Sequence, residues 1–259
     1  MNSNCQQAPL TELSIVIPLK DEVGNLESLI KEITLAAQTI SVFEIICVDD
    51  GSKDNTRNKL SELQKEYLNL RIFYHERCKG QSAAIVTGII AAKGEIIVTI
   101  DGDGQNDPAD IPYLYARFLE ENDFHKIMIV GWRKNRRDSW SRKICSKLAN
   151  TVRSSLLADA TPDTGCGLKI FSRQSFLEMP HFDHMHRFLP ALMIRSGGRV
   201  CSLPVNHRAR EFGTSKYGIF NRLWVGIVDL MGVAWLIRRP IFNSLILDKK
   251  NILDEESSQ

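Results

Sequence analysis

This chain of 259 residues lacks several features that point to familiar classes of protein. Its formal net charge of +2 gives no signature of nucleic-acid binding. No apolar run reaches the roughly 20 residues that a membrane-spanning helix needs, and the longest, Leu223–Ile237, contains Asp229. The first eleven residues lack the basic-then-apolar order of a signal peptide. The six cysteines form no CxxC pair and no zinc-ligand spacing, which favours buried thiols in a reducing compartment.

What the sequence does contain is a regular alternation of apolar runs and helical patterns. The predicted strands are Leu13–Pro18, Phe43–Val48, Arg71–Tyr74, Glu95–Ile100, Lys126–Val130, Gly167–Phe171 and Arg199–Val205. The predicted helices are Asn25–Gln38, Asp54–Tyr67, Gln81–Ala92, Asp138–Leu157, Arg187–Arg195 and Gly218–Ile237, with Asp54 as an N-cap. Because the strands are apolar almost throughout and their connections are short, the fold class is α/β. We expect an open, mostly parallel twisted sheet with helices on both faces.

Acidic residues collect where three of the predicted strands end. The pairs are Asp21 and Glu22, Asp49 and Asp50, and Asp101 and Asp103. Ligands of open parallel sheets bind outside the carboxyl ends of the strands. Three carboxylate pairs at equivalent positions therefore predict a binding site at this edge of the sheet.

The segment Asp101-Gly102-Asp103 allows two interpretations. Aspartate and glycine are common in tight turns after strands. Two carboxylates one residue apart also suit a divalent cation, with Gln105 supplying a neutral oxygen and substrate phosphates completing the shell. Its position after a buried strand favours the cation site. The segment that follows Val48, Asp49-Asp50-Gly51-Ser52, is either a turn before a helix or a contact to a nucleotide base or ribose.

Basic residues supply the complementary charge. One cluster follows the fifth strand and another follows the last, and either is a solvated surface or a set of phosphate contacts. Their members are Arg133, Lys134, Arg136, Arg137, Arg142 and Lys143, and then Arg208, Arg210 and Lys216. Four histidines match no zinc pattern and are interpreted as polar loop residues: His181, His184, His186 and His207.

The ordered set of motifs resembles the family 2 glycosyltransferases of GT-A fold. The segments that carry this resemblance are Leu13–Pro18 with Glu22 and Asn25, Val48–Asp54, and Asp101–Gln105 with Pro108. Three later segments are similar to the dolichyl-phosphate mannosyltransferases and the bacterial polyprenyl-phosphate sugar transferases: Gly131–Arg133, Asp163–Gly167 and Arg210–Lys216.

The resemblance implies a role for each matching residue. The residues implied to border the donor nucleoside are Pro18, Lys20, Glu22, Val48 and Asp50, with Ile100 beside them. Asp101, Asp103 and Gln105 are implied to hold Mg²⁺ or Mn²⁺ against the diphosphate. The implied phosphate contacts and catalytic residues are Arg133 and Arg210, joined by Lys216 and by the two aspartates. The chain departs from the family at Lys20, where an aromatic residue is common, and in the small Gly102 and Gly104.

The implied reaction is inverting transfer of a hexose from a GDP- or UDP-linked sugar to a polyprenyl phosphate. A phosphate is already anionic near neutral pH, so this acceptor needs no dedicated general base. Two alternatives stay open at this point. One is transfer to a saccharide or protein hydroxyl, for which Asp163 is the candidate base. The other is a nucleotide-sugar-binding protein without catalysis.

The organisation that follows from these motifs is a single domain. With no linker rich in proline, glycine or serine, we expect the domain over 13–240, between tails at 1–12 and 241–259. Its nucleotide-binding half spans 13–110 and its acceptor half 111–240. The spacing of Phe220, Leu223, Trp224, Ile227 and Met231 predicts a helix that either packs in the core or lies at a lipid interface. We expect a cytoplasmic protein, peripheral on the cytoplasmic face of the membrane, with no nucleic-acid partner.

Overall fold

The computed structural model describes residues 12–40, 42–133, 153–210 and 219–239. Its strands are β1 (Leu13–Leu19), β2 (Phe43–Asp49), β3 (Leu70–Tyr74), β4 (Ile96–Thr99), β5 (Ile127–Trp132), β6 (Lys169–Ser172) and β7 (Arg199–Pro204). The α-helices assigned there are α1 (Leu26–Ala37), α2 (Thr56–Glu66), α3 (Gln81–Ala91), α4 (Ile111–Leu119), α5 (Arg173–Leu177), α6 (Leu189–Arg195) and α7 (Ile219–Ile237). The seven predicted strands are thus all present.

The strands form one sheet in the order β3-β2-β1-β4-β6-β5-β7. Strands β3, β2, β1 and β4 are parallel to one another, and β5 is parallel to β7. Strand β6 lies antiparallel between β4 and β5. The mostly parallel sheet is therefore confirmed, with one reversed strand that the sequence pattern did not distinguish from the others.

The alternation of side chains along β1 explains why both faces of the sheet are covered. Leu13, Ile15 and Ile17 belong to one core cluster with the buried face of α1, whereas Val16 belongs to a second cluster with Ala84 of α3. All of these β1 side chains are fully buried. A strand with apolar residues on both faces needs a helix layer on each side, which is the arrangement seen.

Two details of the helices differ from the sequence-based expectation. Helices α4 and α5 were not predicted, because α4 begins at a 3₁₀ turn and a proline and α5 has only five residues. The predicted N-cap at Asp54 is wrong by one residue: Asn55 occupies the N-cap position of α2 without a capping hydrogen bond from its side chain, and Asp54 Oδ1 accepts a hydrogen bond from the Thr56 amide at 3.0 Å. Most of the predicted helix Asp138–Leu157 lies outside the described residues, although 153–157 are helical.

Helix α7 lies against α6 at the edge of the second core cluster. Its Val233 and Ala234 are buried, while Met231 and Trp235 are 67% and 62% exposed. Arg195 of α6 fixes the end of α7, because its guanidinium donates to the carbonyl oxygens of Leu236 and Arg239. None of the helices in the described segments has the length and apolar character needed to cross a membrane.

Candidate active site

The parallel strands β1, β2 and β4 end at the same edge of the sheet. Leu19 of β1 is paired with Asp49 of β2, and Val16 pairs with Thr99 of β4. The three acidic pairs that follow these strands therefore share one edge, as the sequence predicted. In the structure these pairs differ in the hydrogen-bond partners of their carboxylates.

Asp101 and Asp103 keep most of their oxygen lone pairs free of protein partners. Among the described residues, Asp101 Oδ1 accepts one hydrogen bond, from Gln81 Nε2 at 2.8 Å. Asp103 Oδ1 accepts from the Gln105 amide at 3.2 Å, and its Oδ2 lies 3.5 Å from Arg210 Nη2. Burial, together with the nearby charge of Asp103, raises the pKa of Asp101 to about 6. Two weakly compensated carboxylates side by side form a site that favours a cation.

The Asp101 side chain fits only because its neighbours are small. A Cβ atom built on Gly167 would lie 2.2 Å from Asp101 Oδ2, and one on Gly102 would lie 2.4 Å from Leu19 Cδ2. Gly167 therefore lets the loop before β6 pack directly against the carboxylate. The small Gly102, a departure from the family pattern, has a local reason in the position of Leu19.

Lys169 is a functional candidate that the sequence interpretation missed. It is 4% exposed at the start of β6, donates a hydrogen bond to the Cys166 carbonyl oxygen, and interacts electrostatically with Asp101 and Asp163. Burial lowers the pKa of its ammonium group. No sequence motif distinguished it, because an isolated lysine at a strand start normally points to solvent.

Arg210 links the first and third acidic pairs. Its Nη2 lies 3.1 Å from Glu22 Oε1 and 3.5 Å from Asp103 Oδ2, and Asn25 Nδ2 donates to Glu22 Oε2 at 2.7 Å. The Nε atom of Arg210 is buried and has no hydrogen-bond partner among the described residues. A buried donor without a partner is costly, so this atom is a candidate contact for a ligand.

The carboxylates of Asp49 and Asp50, in contrast, accept hydrogen bonds from other groups of the protein. Asp49 accepts from Arg57 Nε and the Ser52 amide. Asp50 is bonded to His75 Nδ1 at 2.7 Å, and its other partners are the Cys78 thiol and the Lys79 and Gly80 amides. Burial opposes ionisation of Asp50, but these bonds outweigh it and hold its pKa below the usual value. Asp50 thus anchors the loop from His75 to Gly80.

Arg133 is paired with Asp163 in a two-pronged contact. Its Nε and Nη2 donate to the two carboxylate oxygens at 2.7 and 2.8 Å, and its amide donates to Oδ2 at 3.3 Å. Both side chains are nearly buried, at 12% and 9% exposed. Asp163 is therefore a partner of the arginine, and a carboxylate held this way is a poor proton acceptor.

The remaining predicted donor contacts fall into different places. Pro18 and Ile100 border the cavity described below. Val48 is fully buried in the core, so any contact to a nucleoside is made by its main chain. Lys20 donates to the carbonyl oxygens of Asp50 and Gly51 at 3.2 and 2.9 Å. Lys216, with the basic residues between 134 and 143, lies outside the described residues.

A cavity of about 370 Å³ opens beside Asp101. Apolar side chains form part of its wall, and polar and charged groups form the rest. Its lining includes Pro18, Gln81, Ile85, Ile100, Asp101, Thr164, Gly167, Lys169, His186, Arg187 and Leu189. The size and mixed character suit a small polar ligand rather than a hydrocarbon chain.

The residues at this edge fit a hard divalent cation that is shared with a ligand. Nowhere in the described part of the chain do three histidine, cysteine, aspartate or glutamate side chains meet as a metal cluster. Mg²⁺, however, commonly takes only one or two carboxylates and draws its other ligands from phosphate and water. The observation that supports a cation here is geometric: within the described residues each of the two carboxylates accepts only one hydrogen bond, and the carboxylates lie close enough to interact electrostatically.

Comparisons with known proteins agree with this architecture. The chain is 39% identical over 234 residues to dodecaprenyl-phosphate galacturonate synthase of Rhizobium johnstonii, covering 88% of this chain and 68% of that relative. It superposes with a TM-score of 0.65 on glucosyl-3-phosphoglycerate synthase of Mycobacterium tuberculosis solved with Mn²⁺, UDP and glucosyl-3-phosphoglycerate, at 19% identity over 88% and 80% of the two chains. The complex of that enzyme with Mg²⁺ and UDP gives a TM-score of 0.65 at 16% identity, over 88% and 79%. These solved structures bear on the fold alone.

The family model described as Glycosyl transferase family 2 matches residues 14–179, which include β1 to β6 and all three acidic pairs. That span is well over half of the chain. The GT-A fold predicted from the sequence is confirmed. This protein is a glycosyltransferase and belongs to glycosyl transferase family 2.

Proposed function

We propose that the protein transfers a hexose from a nucleoside-diphosphate sugar to a polyprenyl phosphate, with inversion at the anomeric carbon and with Mg²⁺ or Mn²⁺. The observation that carries the proposal is the pair Asp101 and Asp103, which have few partners among the described residues, beside Arg210, whose buried Nε has no partner there. Two carboxylates for a cation and an arginine for phosphate are what a bound diphosphate requires.

The relative with 39% identity supports the acceptor and the sugar. Its name states that it makes a dodecaprenyl-phosphate galacturonate. We accordingly propose a polyprenyl phosphate as acceptor and a hexuronic acid as the transferred sugar. We propose UDP as the nucleotide of the donor, since the glycosyltransferases that share this fold were solved with UDP and Mn²⁺ or Mg²⁺.

The proposed mechanism assigns a task to each side chain at the edge. Asp101, Asp103 and Gln105 hold the cation, which when bound neutralises charge on the diphosphate and so stabilises its departure. Arg210 contacts the diphosphate while Glu22 orients its guanidinium. An oxygen of the acceptor phosphate attacks the anomeric carbon from the opposite face, its bond forms as the bond to the diphosphate breaks, and the nucleoside diphosphate leaves.

Arg133 is proposed to face the acceptor phosphate, with Asp163 orienting it. The two-pronged contact between them supports this arrangement, because it fixes the orientation of the guanidinium plane. The same contact argues against transfer to a hydroxyl, which would need Asp163 free to accept a proton. The phosphate acceptor is thus the better match to the site.

The direct test is incubation of the protein with UDP-galacturonate, Mn²⁺ or Mg²⁺ and a short polyprenyl phosphate, followed by extraction of lipid-linked sugar. The proposal predicts a lipid-linked product that depends on the cation and on the phosphate of the acceptor. Transfer to a polyprenol or saccharide hydroxyl with no product on the phosphate would contradict it. Donor binding without turnover on any acceptor would instead favour the non-catalytic alternative.

We also propose that α7 carries the protein onto a lipid surface, where its acceptor resides. Among the described side chains of this helix, five large apolar ones are exposed: Val225, Ile227, Val228, Met231 and Trp235. Arg238 and Arg239 follow at its end and are exposed as well. An apolar face next to arginines is typical of a helix that lies in the interface of an anionic membrane.

Flotation with vesicles containing anionic lipid tests the membrane proposal. We expect Met231→Asp together with Trp235→Asp to abolish co-flotation while turnover on a short, soluble acceptor is kept. Leu68→Asp is the matched control, because Leu68 is 96% exposed at a distant loop and packs against little. Equal flotation of the double variant and the control would overturn the proposal.

A further inference from the structure

Arg187 is a positively charged residue at the cavity beside Asp101 that the proposed mechanism does not use. Arg187 borders this cavity and is half-buried. Within residues 12–40, 42–133, 153–210 and 219–239, its guanidinium makes no hydrogen bond and no salt bridge. Its nitrogen atoms are not among the fully buried side-chain atoms that lack a partner in the described part of the chain. The five donors of the guanidinium are therefore open to solvent water or to an acceptor on a ligand.

The other cations near the cavity are already engaged. Arg133 is held by Asp163, and Lys169 donates to the Cys166 carbonyl oxygen while it lies in the field of Asp101. Arg210 is shared by Glu22 and Asp103. Arg187 therefore differs from each of them, because it lines the cavity and has no partner for its guanidinium among the described residues.

The backbone that carries Arg187 is firmly held. The short 3₁₀ turn Met185–Arg187 begins after His184, which has a positive φ of 62°. The His186 amide and Nδ1 both bond to Ser82 Oγ of α3, at 3.2 and 2.7 Å, and Met185 is buried. An arginine on a turn fixed in this way loses less conformational entropy when it binds a ligand than one on a free loop.

The side chains that line the cavity favour the binding of an anion. Burial lowers the pKa of His186 to about 3, so its ring is neutral near pH 7. The other ionisable side chains of aspartate, lysine and arginine in the lining are Asp101, Lys169 and Arg187, two basic groups against one acidic group. Beside the acidic and basic groups, Ile85, Ile100 and Leu189 provide an apolar surface for the carbon face of a sugar ring.

We propose that Arg187 binds the acidic group of the transferred sugar and is a specificity-determining residue of the reaction. This inference rests on the proposed function for the position of the donor, whose diphosphate lies at Asp101 and Asp103. With the diphosphate there, the adjoining cavity receives the sugar, and a carboxylate on the sugar meets the guanidinium in a two-pronged contact. A neutral hexose leaves Arg187 without a partner, which gives the discrimination.

The test measures donor binding by calorimetry with Mn²⁺ and without acceptor, so that it does not depend on turnover. UDP-galacturonate, UDP-galactose and UDP are titrated into the wild type, Arg187→Gln and Arg187→Lys. We expect Arg187→Gln to weaken the binding of UDP-galacturonate about 10- to 100-fold. The affinities for UDP and UDP-galactose should change less than about threefold. Arg187→Lys keeps the positive charge but cannot make the two-pronged contact of a guanidinium, so it should retain part of the preference for UDP-galacturonate.

Arg117→Gln is the matched control, because Arg117 pairs with Glu120 on the surface of α4, away from the cavity. An equal loss for all three ligands in Arg187→Gln would place Arg187 on the diphosphate and overturn the inference. Unchanged binding of all three would overturn it as well. If the uronate preference depends on Arg187 but no acceptor is ever glycosylated, the inference stands while the proposed function fails.

Discussion

The two acidic pairs that follow β2 and β4 look alike in the sequence and behave differently in the structure. The carboxylates of Asp49 and Asp50 are buried and bonded to groups of the protein. Those of Asp101 and Asp103 receive one hydrogen bond each within the described residues, plus the contact of Asp103 with Arg210. A carboxylate at a strand end is thus a candidate ligand only when the neighbouring loops do not supply its hydrogen-bond donors.

The difference originates in the neighbouring loops. The loop that follows β3 folds back over Asp50 and presents the amides of Lys79 and Gly80 to it. Above Asp101 the neighbouring loop contains Gly167, which supplies space and no donor to the carboxylate. The pKa of Asp50 is accordingly lowered and that of Asp101 raised to about 6.

The largest effect is expected from Asp103→Asn. Removing one of two cation ligands that also contacts Arg210 should lower turnover by about 1,000-fold or more, with the free energy of unfolding changed by less than about 1 kcal/mol. Initial rates and urea unfolding measure the two quantities. Substantial turnover in this variant would remove the distinction between the two acidic pairs.

Asp50→Ala should act in the opposite way, chiefly on stability. Loss of a buried carboxylate leaves the amides of Lys79 and Gly80 and the ring of His75 without their acceptor, at a cost of about 3 kcal/mol. Urea unfolding of the metal-free protein checks this value. A fully stable Asp50→Ala protein that fails to bind UDP would show that Asp50 contacts the nucleoside directly.

Stability against pH separates the pairs further. Because the pKa of Asp101 is raised to about 6, the folded protein holds a proton that the unfolded chain releases between about pH 4 and 6. Its ionisation therefore destabilises the metal-free fold above pH 6 and not near pH 4. Asp50, with its lowered pKa, stabilises the fold above its ordinary pKa and loses this effect only in stronger acid.

We expect metal-free Asp101→Asn to be more stable than the wild type at pH 7 by about 2 kcal/mol, with the two converging near pH 4. Urea unfolding at several pH values gives this difference. A constant difference across the range would mean that Asp101 does not titrate there.

The smallest effect is expected from Lys20→Met. Its ammonium group donates to the carbonyl oxygens of Asp50 and Gly51, so the variant should lose about 1 kcal/mol of stability. Calorimetric unfolding measures this loss, and titration with UDP provides the second readout. Unchanged stability with UDP binding weakened more than tenfold would place Lys20 on the nucleoside, as the family resemblance implies.

Sequence reasoning predicted the strands because their apolar runs are nearly continuous, as in β1 and β2. It also brought Asp101, Asp103 and Glu22 to one edge, since parallel strands end together. It did not predict that β6 is antiparallel, because a buried four-residue strand has the same composition in either direction. The positions of the strand ends were therefore enough to predict where the site lies, whereas the direction of β6 is known only from the structure.

The parts of the site that the sequence did not provide depend on contacts distant in the chain. Asp50 is saturated by residues 25 to 30 positions away, and Asp163 is held by Arg133 across 30 residues. Lys169 and Arg187 belong to no motif that was recognised, and only the packing of β6 and the turn before α6 brings them to the cavity. Such pairings are set by tertiary structure rather than by local pattern.

Mn²⁺ binding, followed by electron paramagnetic resonance with and without UDP, tests directly whether Asp101 and Asp103 hold a divalent cation against the donor diphosphate. We expect UDP to increase Mn²⁺ binding to the wild type strongly. Asp103→Asn should abolish this increase, whereas Lys20→Met should keep it. Undiminished, UDP-dependent Mn²⁺ binding in Asp103→Asn would contradict the claim.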